Sequence, residues 1–199
     1  MFDFAARVAG TQAEMERQGV DLMFLRPSPD LTYLTGFRKV PFSAAMMYDE
    51  MWLPESWVFG AWIFRQGDPI MTVPARYHRA IGEYLLPKDV RVVKDGPDAA
   101  RHVRDVLTQG GQVRRIAIVK ETQGQLTAAV RDVLPNTTFS EATELTKKLR
   151  QVKDADELAL LREAGRITDQ VFGAVAERLK PGLTELDVIA EVDYQALRH

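Results

Sequence analysis

The three histidines, His78, His102 and His199, are the side chains in this sequence whose chemistry best suits a metal ligand or an acid–base group. A hydrolytic metal site needs several carboxylate or imidazole ligands that converge on one point. The histidines are far apart in sequence, and none stands in a His-x-x-x-His or His-x-Glu arrangement, which would place two ligands on one helix face or turn. We therefore interpret them as surface or helix-cap residues.

Two further patterns have a plainer explanation than a ligand site. Asp187, Glu191 and His199 recur every turn or two near the C-terminal end, as a solvated helix face does. Residues 121–124 (ETQG) lie between a predicted strand and a predicted helix, where backbone N–H groups can hold an anion, but they lack the glycines and the lysine of a phosphate loop. The sequence has no cysteine and no Gly-x-Ser-x-Gly elbow. It therefore predicts no catalytic residue and no metal ligand in this chain.

Residues 38–57 are the best candidate for a contact surface. Trp, Tyr, Phe and Met crowd this segment between prolines, with little periodicity. Such side chains are enriched in interface cores and in pockets for apolar rings. We predict that Tyr48, Trp52 and Trp57 contact a substrate or a partner. An ordinary hairpin core with a disordered tip is the alternative that the pattern leaves open.

Charge and composition exclude several classes of partner. Lys and Arg number 26 against 28 Asp and Glu, so the formal net charge of -2 offers no basic field for a nucleic acid. Uncharged runs fall well short of the ~18 apolar residues that a membrane span needs. The chain opens Met1-Phe2-Asp3, with an acid where a secretory signal is basic. We expect no nucleic acid, no membrane and a cytoplasmic location.

Helical and strand periods alternate along residues 1–146. An amphipathic helix is predicted from Asp3 to Gln18 with its end at Gly19, followed by a buried strand over residues 20–25. Two apolar runs around residues 66–69 (QGDP) predict a hairpin, and helices then alternate with short strands as far as residue 148. This order predicts an α/β domain with helices packed on a mixed sheet.

A cationic stretch at residues 147–153 (KKLRQVK) is the clearest break in composition, and we place the domain boundary between 146 and 147. Beyond it, one long amphipathic helix is predicted from Leu158 to Leu179, and a second helix capped by Thr184 still runs at His199. Two helices cannot enclose a core. Residues 147–199 are therefore predicted to be a linker and two helices of an incomplete domain, with exposed apolar faces that favour self-association.

Two separate groups of residues resemble the creatinase, prolidase and aminopeptidase P family. Residues 29–37 (PDLTYLTGF), with Arg7, Met15 and residues 19–21 (GVD), resemble its N-terminal domain. A second group of residues resembles the opening of the family's pita-bread catalytic domain. This group comprises Leu149-Arg150, Val152-Lys153, Glu157, Leu161-Arg162, Ala164, Asp169, Lys180-Pro181-Gly182 and Thr184-Glu185. The two signatures stand in the family's order and spacing. The resemblance implies a creatinase-type N-terminal domain followed by the start of a pita-bread domain.

The resemblance also implies a function for a longer protein. Family members are metal-dependent hydrolases that mostly cleave the bond before proline, with two Mn, Co or Zn ions held by two Asp, one His and two Glu. No stretch of this chain matches those ligand motifs, so no ligand is transferred to a numbered residue and no cofactor is expected here. In the family, the N-terminal domain borders the active site of the dimer partner. The resemblance therefore implies a homodimer in which Tyr48, Trp52 and Trp57 shape a peptide pocket.

The predicted function is thus the N-terminal part of an Xaa-Pro metallopeptidase that is inert by itself. One alternative is a non-catalytic module for dimerisation or partner binding. Another is a hydrolase of the same fold that acts on a non-peptide amide or amine. The length leaves open a natural short protein, a fragment or a frameshifted reading frame.

Overall fold

The computed structural model describes residues 2–37, 54–81 and 87–199, with the side chains of 79–81 left out. Within these residues, one six-stranded sheet has the order β4-β3-β2-β1-β5-β6. Its strands are β1 (Leu22–Leu25), β2 (Gly60–Phe64), β3 (Ile70–Pro74), β4 (Asp89–Val93), β5 (Arg115–Ile118) and β6 (Thr138–Glu141). The pairs β1/β2 and β2/β3 are antiparallel, whereas β3/β4, β1/β5 and β5/β6 are parallel. The predicted mixed sheet is confirmed.

Helices cover both faces of this sheet. They are α1 (Phe4–Gln18), α2 (Pro29–Thr35), α3 (Ala75–Ile81), α4 (Gly96–Gln109), α5 (Gly124–Val133) and α6 (Thr143–Gln151). Alternate residues of β1 point to opposite sides: Met23 and Leu25 join a core with α1, α2 and α6, whereas Leu22 and Phe24 join a core with α4 and α5. Burial on both faces explains why β1 is a continuous apolar run.

The first helix begins and ends where its sequence predicts. The Asp3 side chain accepts a hydrogen bond from the Ala6 N–H at 2.8 Å, which caps the N-terminus. Gly19 closes the C-terminus with a φ of 68°, a left-handed conformation that favours glycine.

Helix α2 is an element that the sequence patterns did not predict. Ser28 caps it by accepting the Leu31 N–H at 3.2 Å, Pro29 occupies the first turn, and Gly36 ends it in the left-handed region. These are ordinary start and stop signals. A helix of 7 residues is too short to show a hydrophobic period, which is why the pattern missed it.

The chain divides into two units after Gln151: the first is Asp3–Gln151 and the second contains Val152–His199. This division lies later than the boundary between 146 and 147 that the cationic stretch suggested. The stretch begins inside α6, where Leu145 and Thr146 are buried while Lys147 and Lys148 face solvent. The composition break therefore marks the outer face of a helix as well as the end of a unit.

The second unit consists of two capped helices, α7 (Ala155–Arg178) and α8 (Glu185–Arg198). A capping box begins each of them: Asp154 with Glu157 at α7, and Thr184 with Asp187 at α8. The cap predicted at Thr184 is present, with Asp in place of the usual Glu. Helix α7 has no buried residue, and α8 has only Gln195.

Candidate functional site

The carboxyl ends of β1 and β5 form the edge of the first unit where a ligand site is most expected. These two strands are parallel neighbours, but β1 leads into α2 on one face of the sheet and β5 leads into α5 on the other. In open α/β sheets, ligands bind where successive connections leave in opposite directions. This edge is therefore the candidate ligand-binding region of the first unit.

Hydrogen bonds join the loops at this edge. Arg26 Nη1 donates to the Glu121 carbonyl at 3.1 Å, and Gln123 Nε2 donates to Ser56 Oγ at 3.3 Å. The Thr122 N–H donates to the Val119 carbonyl at 2.9 Å, so residues 121–124 form the strand-to-helix turn that the sequence suggested. These contacts tie loops together and assemble no nucleophile with a base.

The residue before the aromatic segment, Phe37, and the last residue of that segment, Trp57, are both buried. Phe37, which precedes it, is 2% exposed and makes an edge-on contact with Phe59 at 6.0 Å between ring centroids. Phe59 in turn stacks on Tyr77 at 5.6 Å. Of the three predicted contact residues, Tyr48 and Trp52 lie outside the described residues.

Trp57 lies in a short 3-10 turn, Ser56–Val58, just before β2. It is 7% exposed and belongs to the core that also contains Phe24 and Trp62. Its indole therefore holds the end of the aromatic segment against the sheet. That location gives Trp57 a packing role, and its contact with a substrate or partner stays a prediction.

The histidines and acids do not meet in one place. His78 is half-buried on α3, His102 is on α4 with Nε2 3.6 Å from Asp98 Oδ2, and His199 ends the chain.

The acids of α8 are engaged in structural contacts. Asp187 belongs to the α8 capping box, and the Glu191 carboxylate pairs with the Arg178 guanidinium at 2.8 Å. Within residues 2–37, 54–81 and 87–199, no three His, Asp or Glu side chains are placed to hold one ion. The described residues therefore do not fit a two-metal centre.

A buried network that sequence reasoning missed joins α2 to α6. Asp30 Oδ1 accepts a hydrogen bond from Thr146 Oγ1 at 2.9 Å and from Arg150 Nη1 at 2.7 Å. Asp30 is 7% exposed, so its charge needs these partners. The only sequence hint was that Asp30 and Arg150 belong to the two separate signatures.

Tyr33 makes a second link between the same two regions. Its hydroxyl donates to the Leu149 carbonyl at 3.3 Å on the last turn of α6. The Arg7 guanidinium lies 4.2 Å from the centre of the Tyr33 ring and donates to the Tyr33 carbonyl at 3.1 Å. Residues 29–37 and residues 149–150 therefore form one structural joint at the end of the first unit.

Glu14 adds an electrostatic contact near this joint. A hydrogen bond from Arg17 is the main reason that the pKa of Glu14 falls from 4.5 to about 2, with smaller contributions from Gln18 and Lys148. The Lys148 ammonium on α6 lies 3.9 Å from the Glu14 carboxylate on α1. The carboxylate stays charged at neutral pH and attracts the last turns of α6.

Comparison with known families identifies the family to which a chain with this fold and this α2–α6 joint belongs. Residues 7–152 match the family model described as Creatinase/Prolidase N-terminal domain. The chain belongs to this family. The matched range covers nearly all of the first unit, including the α2–α6 joint.

Named relatives of this family member are peptidases. The chain is 29% identical to the probable dipeptidase PepE of Mycobacterium tuberculosis, over 95% of this chain and 47% of PepE. It is 24% identical to the Xaa-Pro dipeptidase of Lactobacillus delbrueckii subsp. lactis, over 91% of this chain and 46% of the relative. The chain thus spans about half the length of the curated relatives it matches.

A solved structure confirms the fold. The prolidase of Thermococcus sibiricus superposes with a TM-score of 0.80 at 18% identity, covering 98% of this chain and 50% of the prolidase. This likeness extends over α7 and α8 as well as the first unit. In the part of the chain that the structure describes, no helix combines the length and apolar character needed to cross a bilayer.

Proposed function

We propose that this chain is the N-terminal half of a metal-dependent Xaa-Pro peptidase and that it is inactive by itself. The observation that supports this most directly is the match of residues 7–152 to the Creatinase/Prolidase N-terminal domain, in a chain that covers only about half of its dipeptidase relatives. The described residues gather no set of metal ligands. The hydrolytic chemistry then belongs to polypeptide that the relatives have and the matched half does not.

The first unit would serve binding and assembly. Phe37 is buried in the core on one face of the sheet and Trp57 in the core on the other, and the aromatic segment connects these two buried residues along the chain. Its aromatic residues Tyr48 and Trp52 are apolar enough to contact a proline ring. We assign them to the wall of a peptide pocket, completed in a homodimer by the other subunit.

The cytoplasmic location stays a prediction from the sequence. Its support is the absence of cysteine from the sequence.

A hydrolysis assay with a matched hybrid tests this proposal. The purified chain is incubated with Mn²⁺ or Co²⁺ and the dipeptide Ala-Pro, and released proline is measured. A hybrid in which the same chain is followed by the remaining half of M. tuberculosis PepE is assayed in parallel. We expect proline release from the hybrid and none from the chain alone. Turnover by the chain alone, or hydrolysis of Ala-Ala but not of Ala-Pro by the hybrid, would contradict the proposal.

A further inference from the structure

Helix α2 is short and depends on its neighbours. A helix of 7 residues is marginal in isolation, so tertiary contacts must hold it in place. Its buried residues Leu31 and Leu34 supply the apolar part of these contacts. Burial of apolar surface is non-directional, so these two side chains define the rotation of α2 about its axis less sharply than hydrogen bonds do.

Two polar contacts fix that rotation. Asp30 and Tyr33 are three residues apart on α2, and both contact the last turns of α6. The Asp30 carboxylate accepts hydrogen bonds from Thr146 at 2.9 Å and from Arg150 at 2.7 Å. The Tyr33 hydroxyl donates to the Leu149 carbonyl at 3.3 Å. Because the contacts lie about one turn apart on both helices, they define the rotation of α2 and its position along α6.

Net stability alone does not account for a buried carboxylate in this place. Asp30 is 7% exposed, and burying its charge costs free energy that its partners have to offset. Removing one partner of a buried ion pair is destabilising, but replacing the whole pair by apolar side chains of similar volume is often neutral or stabilising. What the directional hydrogen bonds add is one defined geometry. The Asp30–Arg150 pair therefore serves the placement of α2 more than its net stability.

The carboxyl end of α2 carries this placement into the chain that follows. Gly36 has a φ of 68°, and its N–H donates to the Thr32 carbonyl at 2.9 Å. The Thr35 hydroxyl donates to the Leu31 carbonyl at 2.7 Å and accepts a hydrogen bond from the Phe37 N–H at 3.2 Å. Thr35 and Phe37 are both buried. The backbone as far as Phe37 is therefore fixed relative to α2.

We propose that Asp30 and Tyr33 are positioning residues for the aromatic segment, residues 38–57, and through it for substrate binding. This rests on the proposed function, in which aromatic side chains of the segment line a pocket for a proline-containing dipeptide. The support is connectivity: the segment follows Phe37 directly, and Phe37 is fixed to the helix that Asp30 and Tyr33 hold. Small displacements of the groups that position a substrate have large effects, even when the substituted residue lies far from the chemistry.

Kinetics of the PepE hybrid test this role. Asp30→Asn and Tyr33→Phe are each expected to raise the KM for Ala-Pro about threefold to tenfold and to leave kcat nearly unchanged, because substrate binding rather than the chemical step is disturbed. Tyr33→Phe removes one hydroxyl and keeps the ring that Arg7 contacts, so it is the milder change if Asp30→Asn fails to fold. An active hybrid with an unchanged KM in both variants would overturn the inference and leave the proposed function standing.

Val130→Ala separates positioning from general stability. Val130 on α5 is 1% exposed in the core on the opposite face of the sheet from α2, so its truncation destabilises the first unit without touching the α2–α6 joint. We expect this variant of the hybrid to keep the KM of the unchanged hybrid. An equal rise of KM in Val130→Ala would contradict the inference, because loss of stability would then explain the effect.

Amide hydrogen exchange in the chain alone gives a readout that needs no activity. We expect the Gly36 and Phe37 amides to exchange through local opening at the end of α2. Asp30→Asn should accelerate exchange at both amides severalfold, whereas Val130→Ala should leave both unchanged. Equal exchange rates in the two variants would overturn the inference. An inactive hybrid, combined with faster exchange at Gly36 and Phe37 in Asp30→Asn alone, would refute only the proposed function.

Discussion

Asp30 Oδ1 lies 2.7 Å from Arg150 Nη1, although the two residues are 120 positions apart in the chain. The ion pair joins the second helix of the first unit to its last helix. It also unites the two groups of residues by which the family can be recognised. The joint fixes the last turn of α6, directly before the second unit begins.

Replacing Asp30 with Asn tests the energy of this joint. The substitution removes the charge that Arg150 and the buried Thr146 hydroxyl contact. Because hydrogen bonds to charged groups contribute about 1.5–3 kcal/mol, we expect a loss of that order in the free energy of unfolding of the first unit, measured in urea. Glu144→Gln is the control, since it removes an exposed partner of Lys147 and should cost about 0–1 kcal/mol. Equal losses in the two variants would show that the joint adds no stability.

Gly60→Ala tests the close approach of β2 to β1. A Cβ at this position would collide with the carbonyl oxygen of Leu25 and with the Phe24 ring. Because backbone cannot move aside as a side-chain tip can, we expect a cost of about 1–3 kcal/mol or more in thermal or urea unfolding. Gly124→Ala at the start of α5 is the control, because a Cβ there meets no atom. A Gly60→Ala protein as stable as Gly124→Ala would refute the register of β2 against β1.

The lowered pKa of Glu14 predicts a pH-dependent contribution to stability. Its pKa is about 2 in the folded chain, mainly through Arg17, against 4.5 for the unperturbed group. A depressed pKa stabilises the fold above pH 4.5, and this contribution is lost as the pH falls toward about 2. We expect Glu14→Gln to lower the urea midpoint at neutral pH and to make little difference near pH 2. A midpoint difference that grows on acidification would contradict this assignment.

The aromatic segment should separate into a packing residue and binding residues. Trp57 is 7% exposed in the core, so Trp57→Ala should cost about 3–5 kcal/mol in the free energy of unfolding. Trp57→Phe keeps a buried ring and should cost less. In the PepE hybrid, Tyr48→Ala and Trp52→Ala should instead raise the KM for Ala-Pro with little change in unfolding. If neither changes KM or dimerisation, the segment does not shape the pocket.

Sequence reasoning found the elements whose signals are local. The helix that ends at Gly19, the hairpin at residues 66–69 and the capping pattern from Thr184 to Asp187 all depend on neighbouring residues, and the structure contains each of them. Alternation of helices and strands was sufficient to predict a mixed sheet. Among the described residues, the short α2 escaped, because its caps enclose too few residues to show a period, and α6 was not separated from the cationic stretch at 147–153.

Long-range pairings were beyond the sequence. No local pattern in the sequence indicates that Asp30 pairs with Arg150 rather than with another cationic residue, because only the fold brings α2 beside α6. Trp57 illustrates the same limit: a core and a contact surface both require large apolar side chains, so composition does not distinguish them. The cationic run at 147–153 was similarly ambiguous between a linker and the solvent face of a helix.

Calorimetric titration of Mn²⁺ into the purified, metal-free chain shows whether this polypeptide holds a two-metal centre of its own. We predict no saturable binding of two ions, because the described residues bring no sufficient group of His, Asp and Glu together. Two tight, saturable Mn²⁺ sites per chain, abolished by substituting carboxylates within this sequence, would contradict it.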